Sequence, residues 1–289
     1  MIRGQDIPND RLYKPEHIHE VLTDMTEGFE VYFQKIVPDK THLVHVLKES
    51  VEKFEHERGK YIELLDRAYL EEFEYDPGSF KGTLRRDCPI IRRCLNSPAK
   101  VMDAYRKGFN QASGEDMLEV VINLSGFVDE FIAEFNPGKQ LKAKHPSELG
   151  VSDLDTETYT TFGVIGGGIR SHIIYNLHPI AFPSRSQNSI WSYYFITHQK
   201  DYGFEDGSEF LMINSDGVGT QQNFFYPYDL FTYYAGKIFL LLKEKCLEYD
   251  YPLKAEYRYV YVNAFFDGVA NLHSEDINAL KPFHEQFDY

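Results

Sequence analysis

The sequence has few cysteines, a single tryptophan and no long apolar run, and these shortages exclude several classes of protein. Its three cysteines, Cys88, Cys94 and Cys246, are odd in number and widely spaced, so neither a disulfide framework nor a paired-cysteine zinc site is predicted. The longest apolar run near the C-terminus, residues 238–242, lies between two lysines and is far too short to span a bilayer. We therefore expect no membrane partner.

Export signals and the common catalytic motifs are also missing. Residues 1–6 are polar and lack the apolar stretch of a signal peptide, which predicts a cytoplasmic protein. There is no Gly-x-Ser-x-Gly elbow, and no Gly-Lys-Ser/Thr follows the glycines at 166–168, which excludes a Walker A loop. Ser171 stands where a dinucleotide fingerprint would have its third glycine. No cofactor is predicted, and the sequence leaves open whether the protein is an enzyme.

Two close histidine pairs are the only hint of a metal site in the sequence. They are His17 with His19 and His42 with His45. No cysteine accompanies either pair, and carboxylates are common throughout an acidic protein, so the pattern is typical of exposed helix residues. No metal site is predicted.

Positive charge is scarce, because 30 lysines and arginines face 45 aspartates and glutamates and leave a net charge of −15. Such a chain is repelled by nucleic acid and by anionic membranes unless its basic residues are gathered in one place. Residues 81–107, here called the basic island, carry a net charge of +6 from eight basic and two acidic residues. Its basic patch consists of Arg85, Arg86, Arg92 and Arg93. Pro89 between the two pairs is expected to break a continuous helix.

The basic island has two interpretations. The favoured one is internal charge balance, in which the arginines neutralise the acidic remainder of the same fold. The alternative is that the island grips a phosphate backbone or an acidic partner.

Apolar residues at helical spacing predict a mainly α (α+β) protein. One stripe runs from Thr41 to about Glu72, and a second runs from Met117 to Phe135 behind a capping-box-like start at Ser113. We expect the second stripe to pack inside the domain, although its heptad-like spacing also suits contact with another chain. The N-terminal half is predicted to contribute no strand to a large sheet.

The chain is predicted to divide at a polar connection. Residues 1–140 are expected to form a helical domain, 141–160 the connection, and 161–289 an α-rich domain. The last part is predicted to contain a short strand at 159–165 and a small antiparallel β-hairpin at about 209–226, with Ser215–Gly219 as its loop. Asp229 is predicted to cap the helix that follows, and most of the dense aromatic residues between 182 and 234 are expected in the core.

The segment from Gly163 to Ser189 contains the strongest candidate site. Gly166, Gly167 and Gly168 precede a helix, where free backbone N–H groups and the positive helix end favour an anion. Donors follow at Arg170, Ser171 and His172, and a second polar helix start contains Arg185, Ser186, Gln187 and Asn188. Because a short connection joins the two starts, we expect them to face one another. The plainer interpretation is that the glycines allow a tight turn and that Ser186, Gln187 and Asn188 are ordinary capping residues.

These features predict a binding protein that recognises a phosphate-bearing ligand, either a nucleotide or nucleic acid. One alternative is a metal-independent phosphodiesterase or nuclease that uses the same pocket with His172 as general acid and base. Another is an acidic protein that acts through a homo- or hetero-oligomeric interface, built on the helix at 117–135 or on an acidic surface that mimics nucleic acid.

Overall fold

The computed structural model describes residues 9–204, 208–213 and 219–281. Within these ranges helices predominate and the only sheet has two antiparallel strands, which confirms the predicted mainly α fold with a small hairpin. The helices are α1 (Asn9–Leu12), α2 (Pro15–Ile36), α3 (Lys40–Leu64), α4 (Arg67–Glu71), α5 (Pro77–Asp87), α6 (Pro89–Asn96), α7 (Met102–Gln111), α8 (Gly114–Ala133), α9 (Pro137–Leu141), α10 (Gly167–Leu177), α11 (Gln187–Ile196), α12 (Tyr228–Glu248), α13 (Arg258–Leu272) and α14 (Ser274–Leu280). Short 3-10 helices lie at Pro146–Leu149, Ser152–Asp155, Glu157–Tyr159 and Ala255–Tyr257.

The N-terminal half is helical as predicted, and side-chain caps mark several helix starts. Ser113 caps α8 by accepting a hydrogen bond from the backbone N–H of Asp116. The predicted single helix over 41–72 is divided, because α3 ends at Leu64 and the Asp66 side chain caps the separate helix α4. Pro89 separates α5 from α6, so the two arginine pairs of the basic patch lie on different helices.

The apolar stripe of α8 packs mainly inside the molecule. Met117, Val121, Leu124 and Val128 are buried in the hydrophobic cluster. Phe131 and Phe135 are only partly buried and border a groove at the C-terminal end of this helix.

The polar connection is folded against the C-terminal part of the chain. Leu149, Val151 and Leu154 are buried there, and α12 packs against the 3-10 helices on either side of Val151. Buried apolar residues from both sides of the connection belong to one hydrophobic cluster. The division into two domains stays a sequence-based prediction, and it is not accompanied by two separate cores in the described ranges.

The hairpin is shorter than predicted. Strand β1 (Leu211–Ile213) pairs with strand β2 (Thr220–Gln222), with Leu211 opposite Gln222. Residues 215–218 of the predicted loop at 215–219 lie outside the described residues, and so does the polar start at 1–6. The strand expected at 159–165 is reduced to a single bridge between Thr161 and Ile165.

The C-terminal helices form an aromatic core around α11 and α13. Trp191, Tyr193 and Tyr234 are fully buried there, and Phe182 is fully buried against Phe131 of α8, in agreement with the predicted role of most of the aromatic residues. Helix α11 also packs on α2, where Gly28 brings the two backbones together. None of the helices in the described part of the chain is long and apolar enough to cross a membrane.

Candidate anion-binding cleft

The glycine segment begins α10 as predicted. Gly166 is the N-cap residue, its backbone is extended, and no side chain caps the first N–H groups of the helix. A Cβ atom on Gly167 would lie 1.4 Å from Nη2 of Arg185, so this position can be occupied only by glycine while the guanidinium stays in place. Gly167 therefore allows the guanidinium of Arg185 to pack closely against the start of α10.

Arg170 and Arg185 converge on the carboxylate of Asp155. Nη2 of Arg170 lies 2.6 Å from Oδ1 of Asp155, and Nη1 of Arg185 lies 3.6 Å from the same oxygen. Oδ2 of Asp155 accepts a hydrogen bond of 2.6 Å from the backbone N–H of Tyr228, the first residue of α12. The two guanidinium groups therefore meet at one carboxylate. Sequence reasoning missed Asp155, since it is one of several acidic residues in the connection and nothing local distinguishes it.

Backbone carbonyls complete the binding of both guanidinium groups. Nη1 of Arg170 donates to the carbonyl of Tyr159 and to the hydroxyl of Thr160, and Nη1 of Arg185 donates to the carbonyl of Tyr226. Burial lowers the pKa of Arg170, while the nearby Asp155 carboxylate opposes that shift. Arginine stays charged in proteins, so two guanidinium groups and one carboxylate leave an excess positive charge at this point.

Exposed aromatic rings border the same cleft. The cleft has a volume of about 700 Å³ and is lined by Arg170, Arg185, the glycines at 166–168 and the rings of Phe162, Phe224 and Phe225. The exposed fractions of these phenylalanines are 76%, 47% and 66% respectively, although large apolar side chains normally avoid water. The cleft thus combines an apolar rim with a lining that contains two arginines and the carboxylates of Asp155 and Glu157.

The second helix start is turned partly away from the cleft. Ser186 caps α11 by accepting from the N–H of Ser189, and Asn188 donates to Asp267 on α13. Ser186 and Asn188 line a different cavity, and Gln187 lines neither of the two. Ser171 lies on α10, and its hydroxyl accepts a hydrogen bond from the backbone N–H of Arg185 in the loop that follows this helix.

His172 lies outside the cleft. Its Nδ1 is 3.1 Å from the hydroxyl of Ser184, its Nε2 is buried with no hydrogen-bond partner, and its ring lines the other cavity. Burial lowers the pKa of His172 to about 4. The hypothesis of a phosphodiesterase with His172 and the arginines in one pocket therefore has no geometric support.

The basic patch is partly paired with acidic groups. Arg93 binds Glu57 with an N–O distance of 2.6 Å, and Arg86 pairs with its neighbour Asp87. Arg85 is 3.4 Å from the side-chain oxygen of Asn110. Arg92 is exposed and makes no ion pair within the described ranges.

Two residues outside the cleft differ from their predicted roles. His17 is buried against Glu209 instead of exposed, because α2 packs this face on the segment that precedes β1. Asp229 is not the N-cap residue of α12, since Pro227 occupies that position, but its carboxylate accepts a hydrogen bond of 2.7 Å from the N–H of Leu230 in the first turn. Asp229 is also buried and accepts a hydrogen bond of 2.6 Å from the hydroxyl of Tyr13, and burial raises its pKa.

No protein-family model matches this sequence, and comparisons with curated proteins and with solved structures find no match. The cleft must therefore be interpreted from its own chemistry.

Proposed function

We propose that this protein binds a small phosphate-bearing ligand of the nucleotide class in the cleft at the start of α10. The observation that carries the proposal is the position of Arg170 and Arg185 on the floor of a cleft whose rim is formed by exposed phenylalanines. The ligand then needs both an anionic group and a flat apolar group, and a nucleotide has both.

The anionic group would bind at the uncapped helix start. The first N–H groups of α10 donate no hydrogen bond to a capping side chain, and helix starts favour anions. Guanidinium groups add charge-assisted hydrogen bonds to phosphate oxygens. Asp155 competes for the same arginines, so the ligand must share them with a carboxylate that is itself partly exposed.

The base would stack on the aromatic rim. Rings such as Phe224 and Phe225 bind bases with little sequence preference, at about 1–3 kcal/mol per stacked base. A single nucleotide suits the cleft better than a strand of nucleic acid, because Asp155 and Glu157 also line it and the whole chain carries a net charge of −15.

Titration with adenosine monophosphate, adenosine and inorganic phosphate tests this proposal. Phe225→Ala alters an exposed ring and should weaken the binding of the two adenine ligands about tenfold, with little effect on phosphate. Arg185→Met should weaken the monophosphate and inorganic phosphate by about 10- to 100-fold and adenosine less. Calorimetry with each ligand measures these differences.

Arg92→Ala is the matched control, since it removes an exposed arginine that lies outside the cleft. It should leave all three affinities unchanged. Equal affinity of adenosine monophosphate for wild type, Phe225→Ala and Arg185→Met would refute the proposal, as would the absence of saturable binding.

A further inference from the structure

A second cavity lies on the other side of α10. It has a volume of about 540 Å³ and is enclosed by α3, α10, α13 and the start of α11. Small-molecule sites in proteins commonly have volumes of about 300–1,000 Å³, so this cavity is large enough for a compact ligand. It shares neither Arg170 nor Arg185 with the cleft described above.

The lining of this cavity is rich in neutral hydrogen-bonding side chains. Four asparagines and three serines contribute to it, at positions 176, 188, 263, 271, 50, 184 and 186. Asn188 donates a hydrogen bond of 2.8 Å to Oδ1 of Asp267, and the second carboxylate oxygen accepts from none of the described residues. An amide paired with a carboxylate offers donors and acceptors side by side.

One amide on the cavity wall has an unsatisfied atom. Oδ1 of Asn263 is shut off from solvent and has no hydrogen-bond partner, although the Asn263 side chain also bonds to Tyr175. A buried polar atom without a partner costs about 1–3 kcal/mol. Because this oxygen is closed to solvent, it belongs to the packed wall and does not face the cavity.

The basic side chains at this cavity and beside it are paired with carboxylates. Lys53 lies 2.9 Å from Glu49, and Arg93 lies 2.6 Å from Glu57. His172 is neutral near pH 7, because burial lowers its pKa to about 4. A phosphate would find no unpaired lysine or arginine among the described residues that line this cavity.

Aromatic carbon also contributes to the wall. The rings of Phe54 and Tyr175 are 5.1 Å apart between centroids and meet edge to face. Both side chains line the cavity, so a ligand there contacts apolar ring surface as well as amides and hydroxyls.

We infer that this cavity binds a neutral polyhydroxylated ring, either a hexose or a cyclitol. Adjacent ring hydroxyls suit the exposed Asn188–Asp267 pair and the other asparagines and serines of the lining, and the C–H groups of such a ring suit the parts of Phe54 and Tyr175 that line the cavity. The absence of a free cation in the lining favours this class over phosphates and carboxylates.

Saturation-transfer NMR titrations with D-glucose, D-galactose, D-mannose and myo-inositol test this inference. We expect at least one of the four to bind saturably, with a dissociation constant of about 1 mM or below. Asn188→Ala and Asp267→Ala should each weaken that binding at least tenfold. Both side chains are exposed, so both variants should fold.

Asn96→Ala provides the matched control, because it removes an exposed asparagine on α6 that does not line this cavity. Its affinity for the bound probe should equal that of wild type. No saturable binding of any probe up to about 50 mM, far above the expected constant, would overturn the inference. Full affinity in Asp267→Ala would overturn it as well.

Discussion

At the scale of single residues, Asp155 connects three parts of the chain. Its carboxylate holds Arg170 on α10, contacts Arg185 in the following loop and accepts the first N–H of α12. A buried ion pair contributes little net stability, but removing one partner leaves the other charges uncompensated. The main effect of the carboxylate is therefore to position the two arginines, and its net contribution to stability is small.

Asp155→Asn should lower the free energy of unfolding by about 1–3 kcal/mol, less than for a fully buried pair because the side chain is 31% exposed. The same change removes a competing negative charge, so inorganic phosphate should bind more tightly than to wild type. Urea unfolding and phosphate titration on one preparation measure both effects. A variant that is as stable as wild type and binds phosphate no better would contradict this interpretation of Asp155.

His172 should make stability depend on pH. Its pKa is about 4 in the folded protein against 6.5 for an unperturbed histidine, with burial as the first cause and Arg93 as the second. Between those values the unfolded chain binds a proton that the folded chain does not, so stability falls as the pH is lowered from about 6.5 to 4. The full effect is about 3 kcal/mol at most.

His172→Gln should flatten this part of the curve of unfolding free energy against pH. His45→Gln is the control, because the side chain of His45 on α3 is 72% exposed. Urea unfolding at several pH values between about 4 and 7 measures the slope, and the window follows from the two pKa values of the buried histidine. If His172→Gln kept the wild-type slope, another group would be responsible.

At the scale of helices and strands, the backbones of α2 and α11 approach each other closely at Gly28. A Cβ atom on Gly28 would lie 1.9 Å from the carbonyl oxygen of Ile196, so a larger residue must push the two helices apart. Packed interiors resist such shifts. Gly28 therefore sets the distance between an N-terminal and a C-terminal helix.

Gly28→Ala should lower the free energy of unfolding by about 1–3 kcal/mol or more through overpacking. Gly59→Ala is the matched helical control, because its Cβ would meet nothing within 4 Å, and alanine there should stabilise α3 by up to about 1 kcal/mol. Thermal and urea unfolding of both variants compare the two effects. Equal stability of the two variants would show that α2 and α11 separate at little cost.

The sequence predicts the elements better than their contacts. Local signals sufficed for α8, with its Ser113 cap and apolar stripe, and for the break at Pro89, because caps and proline act within a few residues. The convergence of Arg170 and Arg185 could be expected from their short separation. The role of Asp155 could not be predicted, because its three partners include the start of α12, 73 residues further on.

The same limit explains His17 and His172. His17 is predicted as an exposed helix residue, and His172 as a donor or a general acid and base of the candidate site. Their burial follows from the packing of α2 on the segment before β1 and of α10 on α3. The sequence did not predict the aromatic rim either, because Phe224 and Phe225 belong to a run in which most of the rings are buried. Exposure of particular rings depends on tertiary contacts that periodicity does not encode.

At the scale of the whole molecule, the net charge of −15 weighs against binding to nucleic acid. The Debye length is about 8 Å at physiological salt, so distant carboxylates are screened while those within the basic island are not. Glu57 and Asp87 lie directly against arginines of the basic patch. This pairing favours internal charge balance over a phosphate-binding surface.

The double substitution Arg92→Ala and Arg93→Ala distinguishes these two roles. It breaks the ion pair of Arg93 with Glu57, which is largely exposed, so the free energy of unfolding should fall by no more than about 1 kcal/mol. Wild type and variant should both bind DNA and RNA weakly, with no difference between them. If the island instead held a phosphate backbone, the variant would lose affinity equally for all sequences and its salt dependence would flatten by up to about two units of slope. Melting temperature and nucleic-acid titration at two salt concentrations decide the matter, and unchanged stability with abolished binding would establish the island as a nucleic-acid surface.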